Sequence, residues 1–421
     1  MPEHTVSPAD PPRQIAKLRR ILDVTRQMAA TTELDDLLRT IVAAACDVLD
    51  CERASIFLHD PRAHELYVRM ATGLNEVRFP ADAGIAGAAA QTRRVVNVPD
   101  AYADPRFNRE IDKQTGYRTR NLLTIPLENL KGELEGVLQA LNKSAGPFDA
   151  ADEDLAQTLG AQTGVALHRS RLLEEYAEKQ RLQRDLDIAR SIQQALFPDA
   201  NPEIAGYEIA GWNRCADQTG GDAYDFIPLT DGRLAIFMAD ATGHGIGAAL
   251  VIAQARAMIR AILTVTEDLA EVAARVNDLL AGDIKEGRFV TAFLGVLDPG
   301  AHRVEYISAG QGPLLVLTSA GVEARDATGL PLAVMSRMTF DVERVLLPPG
   351  GSFVLLTDGF YETANPAGEL YGQDRVVECL QAHTHTPVGG LIDALHDAVR
   401  AFCANGPQAD DLTAVIIRRQ E

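Results

Sequence analysis

The chain has 421 residues, of which 46% are hydrophobic and 24% charged, and its 40 Lys and Arg against 59 Asp and Glu give a formal net charge of −19. This length predicts two domains with a connector, and the acidic balance argues against nonspecific nucleic-acid binding and against docking on anionic membranes. Charges interrupt the long apolar runs and the start lacks the regions of a signal peptide, so we expect no transmembrane helix and a cytoplasmic location. The cysteines have no metal-ligand spacing and are predicted to be reduced, mostly buried thiols: Cys46, Cys51, Cys215, Cys379 and Cys403.

The first part of the chain mixes helical and strand-like patterns. Residues 1–12 are rich in proline and are predicted to be disordered, and helical spacing of apolar residues begins at Gln14. Thr32 is a candidate N-cap for a second helix. Glycine and proline then separate five predicted strands: Arg53–Leu58, Leu66–Met70, Val95–Val98, Leu122–Leu127 and Leu134–Leu141.

A long helical pattern follows Phe148 and continues to Phe197. Residues 168–197 contain neither glycine nor proline, and an apolar stripe runs along them: Leu172, Tyr176, Leu182, Leu186, Ala189 and Leu196. The step from Tyr176 to Leu182 is one residue short of a heptad, which breaks the register. The pattern allows a charged single-helix spacer or a short parallel coiled coil between two subunits. It favours the coiled coil, because a lone helix would leave the stripe exposed to water.

After Tyr207 the pattern changes to strands in blocks with paired helices. The predicted strands are Tyr207–Asn213, Ala223–Leu229, Arg233–Ala239, Phe289–Leu297, Val304–Ser308, Leu314–Thr318, Phe340–Leu347, Ser352–Thr357 and Thr413–Arg418. The predicted helices are Ala248–Leu263, Leu269–Ala281, Asp374–Ala382 and Leu391–Phe402. This arrangement indicates an α+β domain with mostly antiparallel sheets rather than alternating βαβ units.

Acidic residues in this second part share one context, the end of an apolar strand or a glycine turn. They are Asp222 in GGDAYD, Asp240 in MADATGHG, Asp358 in LLTDGF, and Asp410 and Asp411 in ADDLTAVII. Carboxylates brought together at strand ends repel strongly, so such a cluster requires cations. Oxygen ligands without His or Cys favour Mg²⁺ or Mn²⁺, and two ions about 3.5–4 Å apart can activate a water and neutralise a phosphoryl group. The constellation therefore predicts a metallohydrolase.

These motifs, in this order, resemble the PPM/PP2C-type serine/threonine phosphatases, and most closely the bacterial SpoIIE/RsbU branch. The resemblance runs from Asp187 to Arg418 and includes IARSIQQALFP and YGQDRV. It implies an αββα sandwich, two Mn²⁺ or Mg²⁺ ions and a metal-bridging water as nucleophile. The sequence departs from the family where Thr242 replaces a frequent Ser, Cys215 a frequent Pro, and AGQGP a frequent AGHNP.

The resemblance also implies a role for each acidic residue. Asp240 would bridge both ions, with the backbone carbonyl of Ala241 on one of them and Asp222 completing that ion's ligands, often through water. Asp358 and Asp410 would hold the other ion. Asp411 would support the ligands rather than bind an ion. The catalytic set is therefore Asp222, Asp240, Asp358 and Asp410.

Other classes of site share parts of this pattern. The strand, glycine turn and helix around Asp240 also indicate a nucleotide-binding loop, but the carboxylate would repel a pyrophosphate unless a metal intervened, and no GxxxxGK[ST] occurs. D-x-x-G-x-G is found as well in histidine-kinase-type ATPases, although a convincing Asn box and phosphoacceptor His are missing. A non-catalytic sensor-adaptor remains a further alternative.

Residues 30–167 resemble a GAF domain of the kind found in cyclic-nucleotide phosphodiesterases and some adenylyl cyclases. The resemblance rests on GIAG, NVPDAYADPRFN, TGYRTRN, IPL and the pattern NKxxxxFxxxDE. It implies a structural ion pair between Lys143 and Asp152. It also implies a ligand pocket lined by Ser55, Ile85, Ala86, Asp112, Thr115, Thr119 and Gln139. The pocket could bind cAMP, cGMP or another small ligand, or the domain could serve only for dimer packing.

The sequence thus predicts an α+β multidomain protein: a GAF domain, a helical coiled-coil linker and a PP2C-like αββα sandwich. Residues 1–29 are a disordered start and an N-terminal helix, 30–167 the sensor, 168–197 the linker and 198–421 the phosphatase domain. The expected function is ligand-regulated, metal-dependent dephosphorylation of a phosphoserine or phosphothreonine. The resemblance implies that the phosphoprotein partner is a STAS-type anti-sigma-factor antagonist. We also expect the chain to form a parallel homodimer.

Overall fold

The computed structural model describes residues 11–68, 78–284, 287–406 and 408–421. The chain forms two compact units, Met1–Arg181 and Leu182–Glu421. Residues 1–10 of the start predicted to be disordered lie outside the described residues. Pro11 and Pro12 are helical, so that prediction is wrong for these two positions. Proline is well tolerated in the first turn of a helix, where its missing N–H would have no partner.

The first unit is built on one antiparallel sheet. Its elements are α1 Pro11–Ala30, α2 Leu34–Leu49, β1 Cys51–Asp60, β2 Glu65–Tyr67, β3 Arg78–Pro80, α3 Gly84–Thr92, β4 Val96–Val98, α4 Arg109–Thr115, β5 Leu122–Glu128, β6 Leu134–Lys143 and the first part of α5 Ala150–Gln194. The sheet order is β3-β2-β1-β6-β5-β4. The buried stripe of α2 packs with α1, α5 and one face of the sheet in a single core. The predicted cap of α2 is wrong, since the helix begins after Glu33 and no side chain caps it.

The second unit contains the end of α5 and the remaining elements. These are β7 Tyr207–Arg214, β8 Asp222–Pro228, β9 Leu234–Ala241, α6 Ile246–Leu263, α7 Leu269–Asp283, β10 Val290–Asp298, β11 Arg303–Ala309, β12 Leu314–Thr318, β13 Gly321–Arg325, β14 Glu343–Leu346, β15 Ser352–Leu356, α8 Gly359–Glu362, α9 Gly372–Ala382, α10 Val388–Phe402 and β16 Leu412–Arg419. Two five-stranded sheets result, with orders β14-β11-β10-β9-β8 and β13-β12-β15-β16-β7.

Three stacked cores make this unit an αββα sandwich. Side chains of both sheets meet in a central core that includes Phe293, Tyr306 and Phe353. Helices α6 and α7 cover the outer face of the first sheet, and α9 and α10 cover that of the second. All strand pairings within the two sheets are antiparallel. The predicted fold class, α+β with this sandwich, is confirmed.

Among the described residues, helix α6 is long and apolar enough to cross a membrane by length and composition alone. Its buried side chains belong to the core under the first sheet. Arg260 on this helix binds the fully buried Asp225 through two bonds of 2.5 and 2.8 Å, and Arg256 lies 2.9 Å from the same carboxylate. These contacts are typical of a helix that packs in a protein core.

Helix α5 carries the apolar stripe predicted to form a coiled coil. Tyr176 is 62% exposed and Leu182 60% exposed, so this part of the stripe faces solvent in the single chain. The helix ends at Gln194, and Leu196 and Phe197 continue as a turn with bonds to the carbonyls of Gln193 and Gln194. The helix thus stops before Pro198, whose ring disfavours helical geometry in the residue that precedes it.

Candidate active site

Asp222 and Asp240 face each other at the end of the first sheet. Asp222 is the first residue of β8 and its Cα partner across the ladder is Asp240, the last but one of β9. Gly221 allows this approach, since a Cβ atom there would lie 2.8 Å from the carbonyl oxygen of Ala241. The chain then turns through Gly243 and Gly245, both at positive φ, into α6. The pattern of strand, glycine turn and helix predicted from the sequence is confirmed.

Asp222 is held by two threonines from the other sheet. Its side chain is 1% exposed, and its Oδ2 accepts hydrogen bonds from Thr357 Oγ1 at 2.8 Å and Thr413 Oγ1 at 2.6 Å. The backbone N–H of Thr413 in turn donates to Thr357 Oγ1 at 2.9 Å. Burial, then the nearby charge of Asp240, raises the pKa of Asp222 well above its usual range. These threonines belong to the TDG and DD-x-T motifs, but only the aspartates of those motifs were identifiable as functional from charge.

Asp240 is the electrostatic centre of the acidic cluster. Burial raises its pKa to about 7, and repulsion from Asp358 and Asp410 acts in the same direction. The pKa of Asp358, at the start of α8, is raised by burial and then by the charge of Asp410. The four predicted catalytic residues therefore act on one another as one charged group.

Asp411 organises the loop that leads to Asp222. It is 6% exposed, and its carboxylate accepts the backbone N–H groups of Ala216 at 2.7 Å and Gly221 at 2.6 Å, with that of Asp222 at 3.4 Å. A Cβ atom at Gly220 would lie 2.2 Å from its Oδ2. Both carboxylate oxygens of Asp411 thus accept backbone hydrogen bonds, whereas the neighbouring Asp410 is exposed.

The three departures from the family pattern each have a structural account. Thr242 exchanges two hydrogen bonds with the backbone of Phe289, at 2.6 and 2.7 Å, which fixes the turn after Asp240. Gln311 of AGQGP is buried and joins the two sheets, since its Nε2 donates to the carbonyl of Leu356 and its Oε1 accepts from Thr291. The thiol of Cys215 donates to Oδ1 of Asn213 at 3.5 Å, and burial raises its pKa to about 11.

Gln193 near the end of α5 binds the same loop. Its Nε2 donates to the carbonyl of Gly220 at 2.7 Å and its Oε1 accepts the N–H of Gly220 at 3.0 Å. The side chain is buried. The sequence places Gln193 in IARSIQQALFP, but no charge or periodicity distinguishes it from Gln194.

A pocket of about 710 Å³ lies beside this loop. Its lining combines aromatic, amide and cationic side chains with the loop backbone, and includes Trp212, Tyr224, Arg190 and Arg214. Asp217, at its rim, lies 3.2 Å from Nδ1 of His244 in the glycine turn. Through Asp217 the pocket therefore borders the glycine turn that follows the strand of Asp240.

The donor set fits hard divalent cations by its chemistry. All the proposed ligands are oxygen atoms, the kind that Mg²⁺ and Mn²⁺ prefer. They are the carboxylates of Asp222, Asp240, Asp358 and Asp410 and the backbone carbonyl of Ala241. Burial and mutual repulsion disfavour the ionised cluster, and bound cations would relieve that cost. Within the described ranges, no three His, Cys, Asp or Glu side chains are drawn together into a preformed metal cage. The structure brings Asp222 and Asp240 together and places the other two within electrostatic reach of Asp240.

In the first unit the predicted pocket residues fall into separate groups. Asp112 accepts bonds from the backbone and hydroxyl of Thr119, at 2.7 and 2.8 Å, and from Tyr102. Ser55 and Gln139 are Cα partners on β1 and β6, and Gln139 donates to Thr124 at 3.2 Å. Ile85 and Ala86 are buried on α3, in two different apolar clusters. The side chain of Thr115 lies outside the described residues.

The ion pair implied by the NKxxxxFxxxDE pattern is present. The ammonium of Lys143 contacts the buried carboxylate of Asp152 and lies 3.3 Å from Asp149. The pKa of Lys143 is raised by these acids in spite of burial, which acts in the opposite direction. The predicted structural role of Lys143 and Asp152 agrees with this contact.

Known families match both units. Residues 33–167 match the GAF domain family, and residues 230–420 match the family described as Stage II sporulation protein E (SpoIIE). The chain is 33% identical over 180 residues to the probable 3',5'-cyclic phosphodiesterase pde-5 of Caenorhabditis elegans, over 38% of this chain and 25% of that protein. It is 26% identical over 265 residues to protein IcfG of Synechocystis sp., over 56% of this chain and 41% of that protein. The chain thus spans a quarter to two-fifths of the length of these relatives.

Among solved structures, the SiaA-PP2C domain of Pseudomonas aeruginosa is similar to this chain. The TM-score is 0.51 and the identity 24%, with 58% of this chain and 98% of that chain covered. At this identity the similarity supports the fold alone. It agrees with the αββα sandwich described above.

Proposed function

The chain joins a GAF domain to a SpoIIE-type domain of PP2C fold, and we propose that it is a ligand-regulated, metal-dependent protein serine/threonine phosphatase. The observation that carries the proposal is the pair Asp222 and Asp240 at the centre of an acidic cluster on a PP2C-like sandwich. A cluster whose own charges oppose its ionisation is suited to binding divalent cations. The boundaries at residues 30, 168 and 198 are part of this proposal.

Some residues of the cluster would bind the metal ions, and others position the residues that bind them. Two Mn²⁺ or Mg²⁺ ions would be bound by the carboxylates of four aspartates and one backbone carbonyl: Asp222, Asp240, Asp358, Asp410 and the carbonyl of Ala241. Such ions, when bound, lower the pKa of a water and neutralise charge on a phosphoryl group. Thr357 and Thr413 orient Asp222 through its Oδ2, and Asp411 holds the loop before it. No serine or cysteine nucleophile is required.

Phosphate release from p-nitrophenyl phosphate tests the chemistry. Purified full-length protein is assayed with Mn²⁺, with Mg²⁺ and with excess chelator. Asp326→Asn is a matched control, since Asp326 is an exposed acid outside the cluster. Hydrolysis that requires Mn²⁺ or Mg²⁺ and survives Asp326→Asn supports the proposal. No hydrolysis under any condition would favour the non-catalytic sensor-adaptor, and nucleotide-dependent autophosphorylation would favour an ATP-binding regulator.

The proposed substrate is a phosphoserine or phosphothreonine on a small STAS-type anti-sigma-factor antagonist. This follows the resemblance to the SpoIIE/RsbU branch. Asp240→Asn, used as bait in a pull-down with phosphosite mapping, should retain a phosphorylated STAS protein. Retention of other phosphoproteins alone would exclude this substrate class.

The proposed regulator is a cyclic nucleotide bound by the GAF domain. The similarity of this region to a cyclic phosphodiesterase supports the choice of ligand. Calorimetric titration of the full-length protein with cAMP and cGMP tests it, with Asp112→Ala as the variant expected to weaken binding. If neither nucleotide gives a binding heat at millimolar concentration, the alternative that the GAF domain serves only for dimer packing is favoured.

The proposed assembly is a parallel homodimer in the cytoplasm, joined along α5. The exposed apolar side chains of Leu172, Tyr176 and Leu182 support it, because pairing with a second copy would remove them from water. Gln193 connects the end of that helix to Gly220 in the catalytic loop, so a change in helix packing has a path to the acidic cluster. Sedimentation analysis of the full-length protein and of a Leu182→Lys variant tests the assembly, since the charge should dissociate a coiled-coil dimer.

A further inference from the structure

The pocket of about 710 Å³ lies between the end of α5 and the edge strands of the two sheets, β7 and β8. Its lining residues come from these three elements, from the turn after α5 and from the loop that joins β7 to β8. A pocket of this size suits a small-molecule ligand. No proposed metal ligand is among its described lining residues, so the pocket is a candidate for a second site.

Two arginines give the pocket positive charge. Arg190 lies in the last turns of α5, and Arg214 is the last residue of β7. Nη1 of Arg214 donates to Nε2 of His396 at 3.1 Å, and burial, then the charge of Arg214, lowers the pKa of His396, so the imidazole accepts as a neutral ring. Asp217 is the acid among the described lining residues, and its carboxylate contacts His244 rather than either arginine. Over the described ranges neither guanidinium forms an ion pair, which leaves both charges available to an anionic ligand such as a phosphate.

Aromatic side chains and an unpaired acceptor form another part of the lining. The rings of Phe197 and Tyr224 lie 5.4 Å apart between centroids, and Trp212 lines the pocket from β7. Oε1 of Gln218 is buried and has no hydrogen-bond partner among the described residues. Buried acceptors without a partner are rare, and a hydroxyl group of a ligand would satisfy this one. The lining thus offers separate contacts to an anionic group, a hydroxyl group and an aromatic ring.

The walls of the pocket also support the acidic cluster. Nδ2 of Asn213 donates to Thr413 Oγ1 at 2.8 Å, and Thr413 Oγ1 donates to Asp222 at 2.6 Å. Gln193 exchanges two hydrogen bonds with the backbone of Gly220. A ligand in the pocket would therefore contact residues that hold Asp222 or the loop before it.

We propose that this pocket is a binding site for a small organic phosphate that carries hydroxyl groups and an aromatic ring, the chemistry of a nucleoside monophosphate. Arg190 and Arg214 bind the phosphate through charge-assisted hydrogen bonds. Oε1 of Gln218 accepts a hydrogen bond from a hydroxyl group of the ligand. The aromatic ring contacts Trp212 and Tyr224.

The fluorescence of Trp212 measures occupancy of the pocket, because Trp212 is the only tryptophan in the sequence. Full-length protein in excess chelator, so that metal ions play no part, is titrated with AMP, adenosine and inorganic phosphate. AMP should change the fluorescence in a saturable way. It should bind about tenfold more tightly than adenosine or phosphate, because only AMP can use the arginines and the rings together. Equal affinity for AMP and inorganic phosphate would contradict the proposed ligand class.

Variants test whether the arginines bind the phosphate. Arg190→Gln and Arg214→Gln should each weaken AMP binding about tenfold and leave adenosine binding nearly unchanged, because each removes a charge-assisted bond to the phosphate. Arg184→Gln is the matched control, since Arg184 is exposed on the same helix and does not line the pocket. The proposal is wrong if millimolar AMP leaves the fluorescence of wild type unchanged, or if both pocket variants bind AMP as tightly as the control. Neither measurement depends on phosphatase activity.

Discussion

Asp222 and Asp240 are Cα partners on β8 and β9, and the pKa of each carboxyl group is raised, first by burial. Buried acids close to one another repel when they are ionised, so the raised pKa of each favours a state in which at least one keeps a proton. Divalent cations would replace that proton. The account of function follows from this competition between protons and metal ions for one acidic cluster.

Stability without divalent ions should fall as the pH rises towards neutrality. The folded-state pKa of Asp240 is raised from its ordinary value of 3.8 to about 7, so the folded protein binds its proton more tightly than the unfolded chain. The resulting stability is complete below about pH 4 and is lost as the pH rises through about 7. At about 1.4 kcal/mol per pKa unit, the effect is on the order of a few kcal/mol. Thermal melts of chelator-treated wild type and Asp240→Asn between pH 5 and 8 check it. Wild type should lose more stability over this range, and parallel curves would contradict the argument.

Substitution of the neighbouring residues Asp410 and Asp411 should have different effects on activity and stability. Asp410→Ala should abolish hydrolysis and leave the melting temperature nearly unchanged, because this acid is exposed. Asp411→Ala leaves the buried N–H group of Gly221 and the part-buried one of Ala216 without their acceptor, and the buried group alone costs about 1–3 kcal/mol. Melting curves and phosphate release for both variants check this. Equal melting temperatures would show that Asp411 does not anchor the loop.

Gly221→Ala should remove activity by steric means. The added methyl group would lie 2.8 Å from the carbonyl oxygen of Ala241 and 3.2 Å from Oδ1 of Asp240, so the ladder between β8 and β9 must move apart. Gly389→Ala in α10 is the matched control, since nothing lies within 4 Å of the added atom. The control should keep full activity and gain up to about 1 kcal/mol of helix stability. Normal Mn²⁺-dependent turnover in Gly221→Ala would contradict the tight approach described for this site.

Insertions in α5 test the coupling of sensor and catalyst. One residue added after Lys179 rotates the following helix by about 100°, whereas seven residues nearly restore the phase. The seven-residue variant should keep its response to a GAF ligand, and the one-residue variant should be fixed in a high or low state. Phosphatase assays with and without ligand measure both. An equal response in the two proteins would show that α5 is only a tether.

Local sequence patterns predicted most of the helices and strands. They could not predict contacts between residues that are distant in the sequence. The strand ending at Asp240 and its glycine turn are encoded within a dozen residues, so the sequence alone locates them. Thr357 and Thr413, which hold Asp222, lie 135 and 191 residues away from it, and only the folded sheets bring them to its Oδ2. The short elements β3, α3, α4, β13 and α8 were not predicted, because they have too few residues to show a clear periodicity.

The contact between Gln193 and Gly220 was hidden for a different reason. It depends on where α5 ends, and no local pattern distinguishes Gln193 from its neighbour Gln194. Sequence identifies the residues able to do chemistry, and the fold decides which of them meet.

The central claim is that Asp240 holds the cations on which hydrolysis depends. The most direct measurement is Mn²⁺-dependent phosphate release by wild type, Asp240→Asn and the Asp326→Asn control, with Mn²⁺ binding to each followed by calorimetry. Wild type and the control should bind Mn²⁺ and hydrolyse the aryl phosphate. Asp240→Asn should stay folded, bind Mn²⁺ weakly and lose at least about a hundredfold in rate, as expected when a ligand shared by both ions is neutralised. Full activity of Asp240→Asn, or full wild-type activity in excess chelator, would contradict the account.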